Sequence, residues 1–391
     1  VQAGGSIALT AGDRLQIDPG ALVKAGNIVD ALAGSSVLID RALVDGGAIN
    51  IKAANGNLVF SGATIQSTGN TNAWTSNHAQ ILNSSIRSGQ SITIQAGLNV
   101  NLVAGLVDAG YSIDIKAADN ILIDPNSAVR AANNFRMAAD YGNSDPGTGC
   151  KIEIYGTLGG NYVEVRGESD NDEFIIEGAT IQGPVTLLGG AGDDLYTVSN
   201  LRSISTWHDG KKDRITMNGQ DGADLYNINL VGGRDYIVEA LDTGSIGTDI
   251  LTLNGTPDAD ILLLRQKFIA KLNGTQVERV NYDQGIERLS IYALAGDDSF
   301  YLDDNSAVTN IYGAEGNDSF QIGQMFGSAR DANAGVAPGD EITTVHTTRG
   351  YLSRGVSYET TIYGASGNDS FTVYSNQAHL ILEGEDGNDL F

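Results

Sequence analysis

A short acidic motif recurs eight times in the second part of the sequence, and its residue types are those that bind a hard metal ion. The fullest copy reads Gly189-Gly190-Ala191-Gly192-Asp193-Asp194-Leu195-Tyr196. In every copy an Asp is followed by any residue and then by a large apolar residue. The Asp residues of the eight copies are Asp172, Asp194, Asp224, Asp260, Asp298, Asp318, Asp369 and Asp389. In five copies we also take the residue just before that Asp as a candidate ligand, namely Asp193, Asp297, Asn317, Asn368 and Asn388.

The chemistry of this motif points to calcium. Glycine permits a sharp turn with positive φ, so backbone carbonyls and Asp or Asn side chains can face one point. Ca²⁺ accepts six to eight such oxygens at about 2.3–2.6 Å, whereas Mg²⁺ demands octahedral geometry and sheds water reluctantly. The alternative is that these residues only form turns and keep the surface soluble. Asp260, with Ala259 beside it and Pro257 in its turn, departs most from the motif.

The motif needs a scaffold that brings its copies together, and the first part of the sequence indicates which one. Short apolar segments recur with the leading residues Ile7, Ile49, Ile92 and Ile113, which gives a period of about 21 residues. Apolar and polar residues alternate in each segment, as in a strand with one buried face. Two further short strands follow in each repeat. The pattern predicts an all-β chain folded as an elongated parallel β-helix (a β-solenoid), whose coils stack on one another.

The spacing of the motif agrees with this coil length. Steps of 22, 20 and 20 residues separate some copies, so we expect the motif once per coil, at one corner. The longer steps predict outloop insertions near residues 205–216 and 327–358, which either bind a ligand or cover the sheet. The alternative fold is a β-sandwich of hairpins, which would place Asn-Gly or Asp-Gly turns between paired strands.

Charge divides the sequence into two regions and excludes several function classes. The net charge is −25, of which residues 1–150 carry −3 and residues 151–391 carry −22. We predict near-neutral solenoid coils in 1–150 and acidic, calcium-binding coils in 151–391. Such a balance excludes nucleic acid as a partner, and no apolar run is long enough for membrane insertion. The single cysteine, Cys150, excludes an intrachain disulfide and a cysteine-based zinc site.

The motif copies over roughly 165–391 resemble the calcium-binding repeats of secreted bacterial RTX (haemolysin-type) proteins. The spacing differs, because those repeats follow one another about every nine residues. The repeats of the first region resemble the haemagglutinin-type β-helical repeats of large secreted bacterial adhesins. This resemblance implies export to the cell surface or the extracellular space, where calcium is plentiful.

We therefore expect a structural or adhesive segment of a secreted, calcium-stabilised bacterial protein, such as a stalk, a matrix fibre or a subunit of a filament or surface layer. The expected partners are calcium ions, other copies or further repeats of the same protein, and a surface polysaccharide. No catalytic residues are predicted, and an enzyme is not expected. The alternative is a carbohydrate-acting enzyme (polysaccharide lyase, hydrolase or epimerase) or a lectin on the same scaffold. A groove lined by aromatic residues and carboxylates outside the motifs would favour that alternative.

Overall fold

The computed structural model describes residues 1–143, 145–208, 210–333 and 339–391. Almost every regular element is a strand, and the one described helix is the four-residue segment Ala329–Ala332. No described helix has the length and apolar character needed to span a membrane. The strands form parallel sheets, and the chain completes one coil in about 22 residues. The prediction of an all-β parallel β-helix is confirmed.

The chain divides into two compact units. The first comprises Val1–Asp194 and Ile204–Ile215, and the second comprises Leu195–Ser203 and Thr216–Phe391. The boundary predicted near residue 150 rests on charge, and it stays a prediction about the chemistry of the two regions.

The first unit has three parallel sheets, which the chain visits in the order I, II and III within each coil. The strands of sheet I are Ile7–Ala11, Ile28–Ala33, Ala48–Ala53, Thr71–Thr75, Ile92–Ala96, Ile113–Ala117, Asn134–Ala138, Tyr162–Ser169 and Val185–Ala191. The strands of sheet II are Leu15–Ile17, Val37–Asp40, Leu58–Ser61, Ala79–Leu82, Val100–Val103, Ile121–Ile123, Lys151–Ile154 and Glu173–Glu177. The strands of sheet III are Gln2–Ala3, Leu22–Ala25, Leu43–Gly46, Thr64–Ser67, Ser85–Ser88, Leu106–Ala109, Ala128–Ala131, Thr157–Gly159 and Thr180–Gln182.

The leading isoleucines that define the sequence period lie in one inward-facing column of sheet I. Ile92 pairs with Ile113 on the next strand, and Ile7 and Ile49 are joined through Val29. All five side chains are buried. Because burying such a side chain contributes about 1.5–3 kcal/mol, the column fixes the register of successive coils.

The second unit has two large sheets. The strands of sheet IV are Leu195–Ser199, Leu225–Asn229, Ile250–Asn254, Arg288–Tyr292, Val308–Glu315, Thr360–Ser366 and Leu380–Glu383. The strands of sheet V are Ile215–Asp221, Tyr236–Leu241, Ile261–Arg265, Phe268–Asn273, Gln276–Tyr282, Ser299–Leu302, Ser319–Ile322 and Ser370–Val373.

Sheet V departs from the predicted all-parallel pattern at one place. Ile261–Arg265, Phe268–Asn273 and Gln276–Tyr282 form an antiparallel meander within it. The first strand of the meander pairs in parallel with Ser299–Leu302, and the last pairs in parallel with Tyr236–Leu241. The meander accounts for the long step between the motif copies at Asp260 and Asp298, because two extra strands are inserted between two coils.

Outloops account for two other long steps. Strands Trp207–His208 and Lys211–Lys212 form a small hairpin within the predicted 205–216 insertion. The 327–358 insertion contributes to a three-stranded antiparallel sheet. In chain order, its strands are Met325–Phe326, Thr344–Thr347 and Gly350–Ser353. Residue 209 and residues 334–338 of these insertions lie outside the described part of the chain.

In the last four motif copies, the large apolar residue that ends the motif packs on its counterpart in the next coil. Phe300, Phe320, Phe371 and Phe391 form a continuous stack with ring centroids 4.8–5.0 Å apart. This distance matches the strand spacing of a sheet, about 4.7–4.9 Å. Stacked aromatic pairs contribute about 0.5–1.5 kcal/mol each beyond their buried area, so the motif anchors every corner to its neighbours.

The glycine two residues before the Asp lies directly against the preceding coil. Gly367 has φ of +144°, and a Cβ atom added there would lie 1.6 Å from the carbonyl oxygen of Gly316. Both the backbone angle and the close approach therefore require glycine at this position.

We expect the substitution Gly367→Ala to lower the free energy of unfolding by about 2 kcal/mol or more, because the corner must move away from the coil beneath it. Urea denaturation measures this. The matched control is Gly12→Ala, where an added Cβ atom would meet nothing within 4 Å. Equal stability of the two variants would contradict the stacked-corner geometry.

Candidate metal centre

Buried aspartates of the last motif copies form a ladder along the corner that leads from sheet IV to sheet V. The Oδ1 atom of each carboxylate accepts a hydrogen bond from the backbone N–H of the motif Asp one coil earlier. The N···O distances are 2.8 Å from Asp298 to Asp318, 2.7 Å from Asp318 to Asp369 and 3.0 Å from Asp369 to Asp389. We call Asp298, Asp318 and Asp369 the inner ladder, and each is only 1% exposed.

The second oxygen of these carboxylates is buried without a donor. Oδ2 of each inner-ladder residue has no hydrogen-bond partner in the described part of the chain. The space that this oxygen fills explains the first glycine of the motif. A Cβ atom on Gly313 or Gly364 would lie 2.2 Å from Oδ2 of the Asp five residues later.

The residue before each buried Asp faces solvent instead. Asn368 donates its backbone N–H to the Asn317 side-chain oxygen at 2.9 Å, and Asn388 donates to Asn368 at 3.0 Å. Asp297 accepts the N–H of Asn317 in the same way, at 2.8 Å. The five predicted outer ligands are all exposed, namely Asp193, Asp297, Asn317, Asn368 and Asn388. The two candidate ligands of one motif copy thus differ in burial, and they form separate inner and outer ladders.

The motif occupies two corners of the fold rather than the single corner expected. In the first unit, Asp172 accepts the N–H of Cys150 at 2.7 Å and donates its own N–H to Asp194 at 2.8 Å, before strands of sheet II. In the second unit, Asp224 precedes a strand of sheet IV, whereas Asp260 and the inner ladder precede strands of sheet V. The expectation of one corner was wrong because spacing along a sequence does not identify the corner.

Burial makes the inner-ladder carboxylates weak acids. Burial and the neighbouring Asp318 carboxylate raise the pKa of Asp298 to about 7. Burial raises the pKa of Asp318 to about 6, and the Asp369 carboxylate adds to that increase. A column of buried like charges one coil apart is unfavourable unless a proton or a cation neutralises it.

Three carboxylates converge at the other corner of the second unit. Asp224, Asp242 and Asp249 each offer a carboxylate oxygen, and these three oxygens lie within 4.8 Å of one another. We call these residues the triad, which is the one such cluster of three in the part of the chain that the structure describes. Three converging carboxylates could hold a metal ion.

Backbone donors orient the triad. Asp249 accepts the N–H of Asp224 at 2.8 Å, and Asp242 accepts the N–H groups of Gln220 and Gly244 at 2.8 and 2.9 Å. Burial, with the charges of Asp242 and Asp224, raises the pKa of Asp249 to about 7. The triad is therefore held in place while its mutual repulsion remains.

The sequence analysis did not predict two members of the triad, Asp249 and Asp242. Asp249 could have been found, because Gly247-Thr248-Asp249-Ile250-Leu251 has the Gly, the Asp and the apolar residue of the motif. Asp242 could not have been found in this way, because it follows the strand Tyr236–Leu241 and belongs to no copy of the motif.

The copy that departs most from the motif contains its own cation. The Nζ atom of Lys271, on the middle strand of the meander, forms an ion pair with Asp260 and lies 3.1 Å from the Thr256 hydroxyl. Asp260 and Lys271 are both buried, at 1% and 6% exposure. Burial lowers the pKa of Lys271, while nearby Glu278 and Asp298 oppose that shift. A corner Asp can thus be neutralised by a positive charge placed beside it.

Comparison with known proteins adds nothing to this geometry, since no family model, curated protein or solved structure matches the chain. The resemblance to RTX and haemagglutinin-type repeats accordingly stays a prediction.

Metal-free protein should lose stability as pH rises from about 4 to about 7. The folded-state pKa values of Asp298 and Asp318 lie above the ordinary value near 3.9, so the unfolded chain releases these protons first. Their contribution to stability is fully present below the unfolded pKa and is lost through the folded pKa. Thermal melts in chelator at pH 5 and pH 8 measure this, and Asp298→Asn should flatten the dependence. Asp297→Asn, at the exposed neighbour, should not.

The substitution Lys271→Met should lower the free energy of unfolding by about 3–5 kcal/mol, because it leaves the Asp260 carboxylate buried without its partner. Urea denaturation at pH 7 measures this cost. Adding Asp260→Asn should recover part of it, while Lys267→Met, at an exposed lysine next to the same strand, should have little effect. A fully additive double variant would show that Asp260 and Lys271 do not interact energetically.

Proposed function

We propose that this chain is a structural, calcium-stabilised β-solenoid segment of an extracellular or cell-surface bacterial protein. The observation that carries the proposal is the triad, in which three carboxylates share one small volume and backbone donors orient those of Asp242 and Asp249. The inner ladder supports it, since its buried Oδ2 atoms have no donor among the described residues. Without a metal ion, the carboxylates of the triad and of the inner ladder can be neutralised only by binding protons.

Calcium fits these sites better than other common cations. The donors are hard oxygens from carboxylates on different coils, so their distances can adjust to an ion of variable coordination number. Magnesium requires a near-ideal octahedron and keeps its water, so it would gain less from a site assembled from separate turns.

The mechanism that follows is conditional folding. Where calcium is scarce, the acidic corners repel one another and the coils are weakened. Where calcium is abundant, ions bound only by the folded state stabilise it by mass action. Extracellular calcium modules bind at about 10⁻⁴–10⁻³ M, which matches such a switch. A solenoid stabilised in this way suits a stalk, fibre, filament or surface-layer subunit, with further repeats or other copies of the chain as its partners.

Calcium at millimolar concentration should raise the melting temperature of the full chain at pH 8, and magnesium should raise it much less. Circular dichroism measures both. Asp242→Asn should reduce the calcium-dependent increase, whereas the exposed control Asp258→Asn should retain it. Failure of calcium to change the melting temperature of the parent protein would refute the proposal.

One observation favours the alternative of a carbohydrate-acting enzyme or lectin. A polar cavity of about 230 Å³ lies beside the meander and the 327–358 insertion, and Arg265, Lys267, Phe268, Asp303 and Asp304 are among its lining residues. Asp303 is 1% exposed and accepts a hydrogen bond from Arg265 Nε at 2.9 Å. The alternative requires turnover or binding of a polysaccharide, and loss of that activity in Asp304→Asn with calcium stabilisation unchanged.

A further inference from the structure

We propose that the first unit contains a separate calcium site, formed by Asp140, Asn143, Asp170 and Asp172. We call these four residues the loop site. Two of them belong to the loop at residues 140–149 and two to the corner one coil later. The inference does not depend on the triad, which lies in the other compact unit.

The backbone brings the loop and the corner together. Ala139 donates its N–H to the carbonyl of Arg166 at 3.0 Å, so the loop begins beside the strand that leads to Asp170. The loop ends at Cys150, which donates its N–H to Asp172 at 2.7 Å. Both ends of the loop are therefore fixed to the coil that supplies the other two ligands.

Each residue of the loop site holds a buried oxygen atom with no donor in the described part of the chain. These atoms are Oδ1 of Asp140, Oδ1 of Asn143, Oδ2 of Asp170 and Oδ2 of Asp172. Asp140 and Asp172 are only 1% and 2% exposed. Eleven buried side-chain atoms lack a partner among the described residues, and four of the eleven belong to this one site. Buried polar atoms are rarely left unsatisfied, so this concentration indicates a missing ligand.

The hydrogen bonds that do exist leave those oxygens available. The Ser169 hydroxyl donates to Oδ2 of Asp140 at 3.3 Å, and it accepts from the side-chain amide nitrogen of Asn143 at 2.8 Å. The remaining oxygen of each residue therefore stays unbonded. Asp172 follows the same rule, since Cys150 occupies its Oδ1 atom and leaves Oδ2 without a donor.

We take the missing ligand to be a cation, because three of the four residues are acidic. No described Lys or Arg forms an ion pair with Asp140, Asp170 or Asp172. Burial raises the pKa of Asp140, and the Asp170 carboxylate adds to the increase. Three acidic side chains and one amide oxygen are the donor set that Ca²⁺ accepts, with water completing its six to eight ligands.

The loop site is more open than the triad, because its carboxylates do not all meet within the same short distance. Ion binding is therefore expected to bring the Asp140 and Asn143 side chains closer to Asp170. Asp140, Asn143 and Asp170 have φ values of 47°, 42° and 69°, a left-handed conformation that Asp and Asn tolerate better than most residues.

Calcium binding by the full chain tests the site, with isothermal titration of parent, Asp140→Asn and Asp145→Asn proteins. Asp145 is an exposed acidic residue of the same loop, so its variant removes the same charge. We expect Asp140→Asn to lose one bound calcium per chain and Asp145→Asn to lose none.

Terbium provides a local signal, because the neighbouring Tyr141 can sensitise its emission. Calcium should displace that emission, and Tyr141→Phe should abolish it while leaving the number of bound calcium ions unchanged.

Stability in chelator separates a metal ligand from an ordinary structural residue. Without calcium, Asp140→Asn should melt at or above the parent temperature, since it removes a buried charge that lacks a partner. With calcium, the parent should be the more stable protein. Unchanged calcium stoichiometry in Asp140→Asn would overturn the proposal, and so would unfolding of this variant in chelator. Asp242→Asn should leave the terbium signal intact. Loss of calcium binding at the triad can therefore be distinguished from loss of calcium binding at the loop site.

Discussion

A hydrogen bond from the backbone of one coil to the aspartate carboxylate of the next determines the structure of the acidic corners. It fixes Oδ1 of Asp298, Asp318 and Asp369 against the neighbouring coil and forces Oδ2 into the interior. Glycine is then required five residues before Asp318 and Asp369, at Gly313 and Gly364, because any side chain there would collide with Oδ2. The same bond that aligns the coils therefore creates a buried negative charge that needs neutralisation.

The chain has three ways to neutralise such a charge, and they differ in their dependence on the environment. Lys271 supplies a permanent cation at Asp260. A proton can serve at Asp298, whose pKa is raised to about 7 by burial and by Asp318. The triad gathers three carboxylates that a divalent ion can bridge. Of these three, only the lysine requires neither a proton bound by the carboxylate nor calcium, so the corners without a lysine make the stability of the coils conditional.

Periodicity was enough to predict the coil, because alternation records which side chains face inward and the inward column repeats in every coil. It could not predict the corner at which a motif turns, since both corners use glycine followed by aspartate. The meander was not predicted, because the motif spacing shows that residues are inserted between Asp260 and Asp298 but not that they pair as antiparallel strands. Asp140 and Asn143 were not predicted as ligands, because only the fold reveals that their loop is fixed beside Asp170 and Asp172.

Stacking also explains why the corners should act together rather than singly. Each carboxylate of the inner ladder accepts a hydrogen bond from the coil before it. Asp318 raises the pKa of Asp298, and Asp369 raises that of Asp318. Phe320 and Phe371, two residues after Asp318 and Asp369, each stack on a phenylalanine of both adjacent coils. In a solenoid, stability is a sum over such nearest-neighbour contacts. Neutralising one corner therefore lowers the cost of ordering the next, and a modest affinity at each site is sufficient to make assembly of the whole ladder depend steeply on the cation.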